Sequence, residues 1–281
     1  MQGSQNFKNE VYNGANGRKS LLDLVIPENY NDEMILFIHG YMGFKDWGCW
    51  NLVSEYFSNN GYGFCKFNLS HNGGTIKEAH DFPDKTAFAQ NRYSYEVEDV
   101  KYVIDWIYSK KIKHKKIHLM GHSRGGAIAI LAGQNKIINS IICCASICDI
   151  ESRFPNGEAF ETWKKRRTRF ITNGRTKDKL EHYFTQYEDF KENEAALNIK
   201  KACIRLNKPV LLIHGENDES VSIKEGESLA EWLNCKLQVI ESTKHTFGAQ
   251  HPWDHKEMPT ALKSACEIIN TFLTNHNNEA Q

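Results

Sequence analysis

The stretch Gly121-His122-Ser123-Arg124-Gly125 constrains the fold of this 281-residue chain more than any other. It matches the pattern G-x-S-x-G, in which a serine sits on a tight turn between a buried strand and a helix. The flanks supply that context. Residues 116–120 form a short apolar strand pattern, and residues 126–132 are small and aliphatic, suited to a closely packed helix. Such a turn holds its serine in a strained backbone conformation, and a Cβ at either flanking glycine would crowd strand against helix. A glycine-rich turn with no chemical role would not account for a serine at its apex.

Strand and helix patterns alternate through most of the remaining sequence, which indicates an α/β fold: a mostly parallel central sheet with helices on both faces. Strands are expected at 20–26, 34–38, 62–69, 137–147, 209–213 and 236–240, and helices at 50–57, 95–107, 224–233 and 260–273. Val97, Val100, Val103, Ile104 and Ile107 fall on one face of the second of these helices. Residues 275–281 read as a frayed tail.

Residues 151–207 break the alternation. They are polar and helical in pattern, show no strand signal, and are too long for an ordinary connection. The chain therefore divides into a core at 1–150 and 208–281 and a helical cap inserted at 151–207. Within the cap, Lys164, Lys165, Arg166, Arg167, Arg169, Arg175, Lys177 and Lys179 face only Asp178 as counter-charge. A solvated helix surface is the simpler reading of that run; a face that attracts acidic substrates is the alternative. Trp163, Phe170, Tyr183, Phe184 and Tyr187 either line a pocket or form the cap's own small core.

Composition narrows the partners. Thirty-five Lys and Arg balance thirty-five Asp and Glu, which argues against nucleic acid. No run of 18 apolar residues predicts a membrane-spanning helix. The first residues have no basic region followed by an apolar stretch, so no signal peptide is expected. Cys49, Cys65, Cys143, Cys144, Cys148, Cys203, Cys235 and Cys266 lack the paired spacing of a zinc site and mostly fall in apolar patterns. Buried, reduced thiols and a cytoplasmic location are the expectation.

A serine hydroxyl is a weak nucleophile that needs a base, and the base needs a third group to orient it. Around this kind of turn the order in the chain is serine, acid, histidine. Asp218, in the loop after the 209–213 strand, is the candidate acid; Glu216, Glu219 and Asp149 are rivals, and a carboxylate at the start of the following helix is the structural alternative. His245, just after the last strand pattern, is the candidate base, with His251 and His255 as rivals. The backbone N–H groups of Arg124 and Tyr41 are the expected oxyanion donors. His39, His122 and His214 read as packing or hydrogen-bonding residues, and no cluster suggests a metal site.

At these residues the chain resembles the α/β-hydrolase superfamily. The resemblance runs over nearly the whole length, through His39-Gly40, Gly121–Gly125, His214–Asp218 and His245. Its flavour is similar to bacterial serine carboxylesterases, including cinnamoyl (feruloyl) esterases and monoacylglycerol-lipase-like enzymes, and is carried by 39–47, 67–73 and 245–253. In those esterases a cap of about this size precedes the strand that bears the acid. The resemblance implies Ser123, Asp218 and His245 as a triad, Tyr41 and Arg124 as oxyanion donors, an ester as the small-molecule substrate, and no cofactor. Serine at the turn, rather than aspartate or cysteine, points to acyl transfer to water. A carboxylesterase, another acyl hydrolase (aminopeptidase, thioesterase or acyltransferase) and a non-catalytic binding protein are the three readings. Acyl preference and oligomeric state stay open, a dimer included.

Overall fold

The computed structural model describes residues 4–278. The chain opens with an antiparallel pair, β1 (Gln5–Asn13) and β2 (Lys19–Ile26). It continues through β3 (Glu33–Ile38), α1 (Trp50–Asn59), β4 (Gly63–Phe67), α2 (Lys85–Ala89), α3 (Tyr93–Ser109), β5 (Lys116–His122), α4 (Arg124–Ala132) and β6 (Ile138–Cys144). Next come α5 (Gly157–Arg166), β7 (Thr168–Thr172), β8 (Lys179–Tyr183), α6 (Thr185–Glu192) and α7 (Ile199–Arg205). The chain closes with β9 (Val210–Gly215), α8 (Ile223–Leu233), β10 (Leu237–Ile240) and α9 (Thr260–Asn278).

Eight strands form one sheet in the order β1-β2-β4-β3-β5-β6-β9-β10. From β4 to β10 every pairing is parallel; β2 joins β4 antiparallel. Strand side chains alternate between faces, so one apolar strand serves two cores. Met34, Leu36 and Ile38 of β3 enter a core with α3, α4, α7 and α8, while Ile35 and Phe37 enter one with α1 and α9. The chain leaves β3 toward β4 on one side and returns to β5 on the other. The crevice at such a reversal, at the carboxyl ends of the strands, is where open α/β sheets bind ligands.

The sequence expectation for 151–207 requires correction. It is not all helical: β7 and β8 pair as an antiparallel hairpin, in which Arg169 faces His182. These strands are short, and most of their residues are partly or fully exposed, so they carry little hydrophobic alternation to read. The far end of the segment packs with the core, where Leu197, Ile199, Ala202 and Cys203 join the α3–α4 cluster. β1 also escaped the sequence reading; it is a largely polar edge strand. The tail expected from residue 275 is instead helical as far as Asn278, where α9 ends, and the rest of that expectation, at 279–281, lies outside the described residues. Among the described residues no helix is long and apolar enough to cross a membrane. The cysteines are free thiols, six buried and two partly buried.

Candidate active site

Ser123 stands between β5 and α4 at φ 58° and ψ −123°, in the left-handed region that disfavours a side chain. Its N–H donates to the Cys144 carbonyl at 2.8 Å, which ties the turn to the neighbouring strand. The two flanking glycines are required by close approach. A Cβ on Gly121 would lie 2.0 Å from the Gly125 carbonyl oxygen, and one on Gly125 would lie 2.2 Å from that of Ile38. Strand, turn and helix are thus packed backbone to backbone, and the serine projects from the apex.

Asp218 and His245 come from the loops after β9 and β10. His245 Nδ1 lies 2.7 Å from Asp218 Oδ2. The Asp218 carboxylate is fully buried, and its other oxygen accepts from the N–H groups of Ser220 at 2.8 Å and Val221 at 2.9 Å. Burial alone would raise its pKa. Hydrogen bonds from His214 and His245 and the Val221 N–H outweigh that and hold the carboxyl well below the usual carboxylate range. The group is therefore ionised wherever the protein is folded at neutral pH. His214 also donates to the Val221 carbonyl at 2.9 Å and lies 3.3 Å from Asp218, so it braces the acid's loop.

The rivals have other partners. Asp149 accepts from the N–H groups of Glu151 and Ser152 and so caps the turn after β6. Glu216 accepts from Ser242 N–H, and Glu219 is an exposed partner of Lys244. His251 accepts from Gly48 N–H and packs against Trp47, while His255 packs against Trp253. His39 and His122 bond backbone groups of Leu69 and His245. Burial pushes His39 down to about 4, and burial with the neighbouring His245 pushes His122 down to about 3.

Ser123, His245, Tyr41 and Arg124 line one cavity of about 460 Å³. Arg124 is the first residue of α4, where a backbone N–H has no intrahelical acceptor, and Tyr41 follows Gly40 beyond the end of β3. The side chains of both residues also have definite partners. The buried Arg124 guanidinium pairs with buried Glu96 at 3.1 Å and lies over the rings of Tyr41 and Tyr93. The Tyr41 hydroxyl meets His182 Nε2 at 2.6 Å, joining the core loop to the β7–β8 hairpin.

Residues 151–207 contribute Arg153, Phe154, Arg169, Ile171, His182 and Gln186 to the wall of this cavity. None of these lining residues except Arg169 was singled out by the sequence. The aromatic residues that were lie elsewhere: Trp163, Phe184 and Tyr187 pack on one another, Tyr187 also against the α3–α4 core, and Phe170 is exposed. Of the basic run, Arg169 alone lines the cavity among the described residues. Arg167 and Arg175 are surface partners of Glu188 and Asp81.

A family model of the alpha/beta hydrolase fold matches residues 33–179, about half of the chain. No curated protein matches the chain significantly. Among solved structures, Est1E from Butyrivibrio proteoclasticus with ferulic acid bound superposes with a TM-score of 0.69 at 21% identity, over 95% of this chain and 98% of that one. The esterase domain of a Rhodothermus marinus protein gives 0.62 at 14%, over 97% and 98%. A dienelactone hydrolase from Anabaena variabilis gives 0.63 at 17%, over 98% and 99%. At these identities the likeness is one of fold.

Proposed function

The chain belongs to the α/β-hydrolase fold family, and we propose that within it the protein is a serine hydrolase of carboxylic esters. One observation carries the reading. A buried carboxylate bonded to a histidine at 2.7 Å shares its loop edge with a serine on a strained turn, and serine and histidine open into the same cavity. A binding protein has no use for a buried, ionised carboxylate aimed at a histidine beside a strained serine.

The reaction follows from that arrangement. Ser123 Oγ attacks the ester carbonyl as His245 Nε2 takes its proton. Asp218 holds the Nδ1 hydrogen and stabilises the imidazolium. The N–H groups of Arg124 and Tyr41 receive the developing oxyanion. The alcohol leaves with the proton from His245, and water repeats the sequence on the acyl-enzyme to release the acid. No step requires a cofactor.

Initial-rate kinetics on 4-nitrophenyl esters, beside circular dichroism, test the reading. Ser123→Ala and His245→Ala are each expected to lower kcat by about five to six orders of magnitude, and the double variant little further, because the groups act as a unit. Asp149→Asn and His251→Ala should be mild. Near-wild-type hydrolysis by folded Ser123→Ala overturns the proposal.

A further inference from the structure

Three arginines line the cavity beside Ser123, and their charges are not equally answered. Arg124 pairs with Glu96 at 3.1 Å, and Arg153 pairs with Glu225. Arg169, on β7, makes no ion pair among the described residues. The charged and titratable groups that interact with it are Tyr41, Tyr93, Arg124 and His182, with no carboxylate among them. Its Nε is buried without a hydrogen-bond partner, and its guanidinium rests on the Trp163 ring at 4.6 Å. A half-buried guanidinium costs free energy unless an anion or acceptor answers it, and a ring contact offsets only part of that cost.

Two more groups of the same wall are open. His182 and Gln186 are each 2% exposed, yet His182 Nδ1 and Gln186 Nε2 have no hydrogen-bond partner. Arg169 and His182 sit directly opposite each other in the hairpin. Tyr41, the proposed oxyanion donor, holds His182 through its hydroxyl from the core side. The rest of the wall includes Ile147, Phe154, Ile171 and Val221, which are apolar. A cavity with one unanswered positive charge, unfilled polar groups beside it and apolar surface between them and the serine fits a particular kind of molecule.

We infer that the cavity takes an ester that carries a second, anionic carboxylate, with Arg169 as its counter-charge and Gln186 as a neighbouring hydrogen-bond donor. This names the substrate class of the hydrolysis proposed above and rests on that reading. The carboxylate is a spectator. The ester C–O bond breaks, the oxygen of water ends on the acyl carbon, the alcohol leaves with a proton, and the distal carboxylate keeps its charge throughout. Arg169 offers a planar fork to it, as guanidinium groups do to carboxylates.

The test compares kcat/KM for 4-nitrophenyl hydrogen adipate with that for 4-nitrophenyl 6-methylheptanoate, in which a neutral isopropyl group replaces the carboxylate. The wild-type ratio should exceed about tenfold in favour of the anion, and Arg169→Gln should lower that ratio by about tenfold or more, equivalent to about 1.4 kcal/mol. A smaller wild-type preference, or a ratio that falls less in the variant, overturns the inference. Calorimetry supplies an arm that needs no Arg169 variant and no turnover. Ser123→Ala should bind monomethyl adipate at least about tenfold more tightly than dimethyl adipate. If neutral esters are hydrolysed but neither preference is found, the carboxylate site falls and the hydrolase reading stands. If no ester is hydrolysed but monomethyl adipate still binds preferentially, the hydrolase reading falls and the anion site stands.

Discussion

Replacing Asp218 by asparagine changes one oxygen for an NH₂ group and leaves the volume nearly constant. The loop bonds from Ser220 and Val221 go to Oδ1 and are retained. The face toward His245 and His214 is Oδ2, and there an acceptor becomes a donor. His245 must then present a lone pair on Nδ1 and carry its hydrogen on Nε2, the nitrogen that has to accept the serine proton. Wrong-tautomer substitutions of this kind in serine triads cost about 10,000-fold in kcat, or about 5.4 kcal/mol of transition-state stabilisation. His214 adds a structural penalty, because its Nε2–H already donates to the Val221 carbonyl at 2.9 Å and now meets another donor. An unmade bond at so buried a position costs about 1–3 kcal/mol. The expectation is a folded protein, lower in Tm, with kcat on 4-nitrophenyl butyrate down by about four orders of magnitude and KM little changed. Stopped-flow or initial-rate kinetics at pH 7.5, with a thermal melt of the same preparation, read both numbers. A folded Asp218→Asn protein within tenfold of wild-type kcat would refute the reasoning.

Two other outcomes follow from the same geometry. Gly125→Ala forces a Cβ to 2.2 Å from the Ile38 carbonyl oxygen and 2.7 Å from that of His39, so a loss of about 3 kcal/mol, at the top of the overpacking range, is expected in urea unfolding; an unchanged midpoint contradicts the packing described. His122 and His182 are held neutral by burial, with folded pKa values near 3 against an ordinary 6.5. Between those values the unfolded chain binds protons that the folded chain does not, so this stability is complete above about pH 6.5 and is lost as pH falls toward 3; Tm measured from pH 8 to pH 4 should fall through that window, and a flat profile contradicts it.

The parts of the fold legible in the sequence are those where sterics or burial leave few alternatives. Glycines at 121 and 125 are dictated by backbone contacts near 2 Å, and β3, β5 and β9 follow from apolar runs that feed the cores on both faces of the sheet. The positions of Asp218 and His245 were readable because each lies after a strand of the parallel pair β9 and β10, where the chain emerges at the ligand-binding edge. What was not legible lacks burial or depends on register. β1 is polar because it is an edge strand, β7 has no fully buried residue, and β8 buries one face through only Leu180 and His182. Arg169 reads as one more charge in a basic run until the hairpin sets it opposite His182 and turns it to the cavity. Gln186 and Glu96 gave no signal, since a lone polar residue in a helix announces neither its burial nor its partner. The aromatic residues of 151–207 were equally consistent with core and pocket; ring contacts place Trp163, Phe184 and Tyr187 in an aromatic cluster, and Phe170 is in neither.

The central claim is that Ser123 is an activated nucleophile, and covalent labelling addresses it without knowledge of the substrate. Incubation with an alkyl fluorophosphonate, followed by intact-mass and peptide-mapping mass spectrometry, should show a single phosphonyl adduct on the peptide that contains Ser123. The same adduct should be absent from Ser123→Ala and formed far more slowly in His245→Ala. An unmodified wild-type protein under conditions that label other serine hydrolases fully, or an adduct on a different residue, would contradict the account.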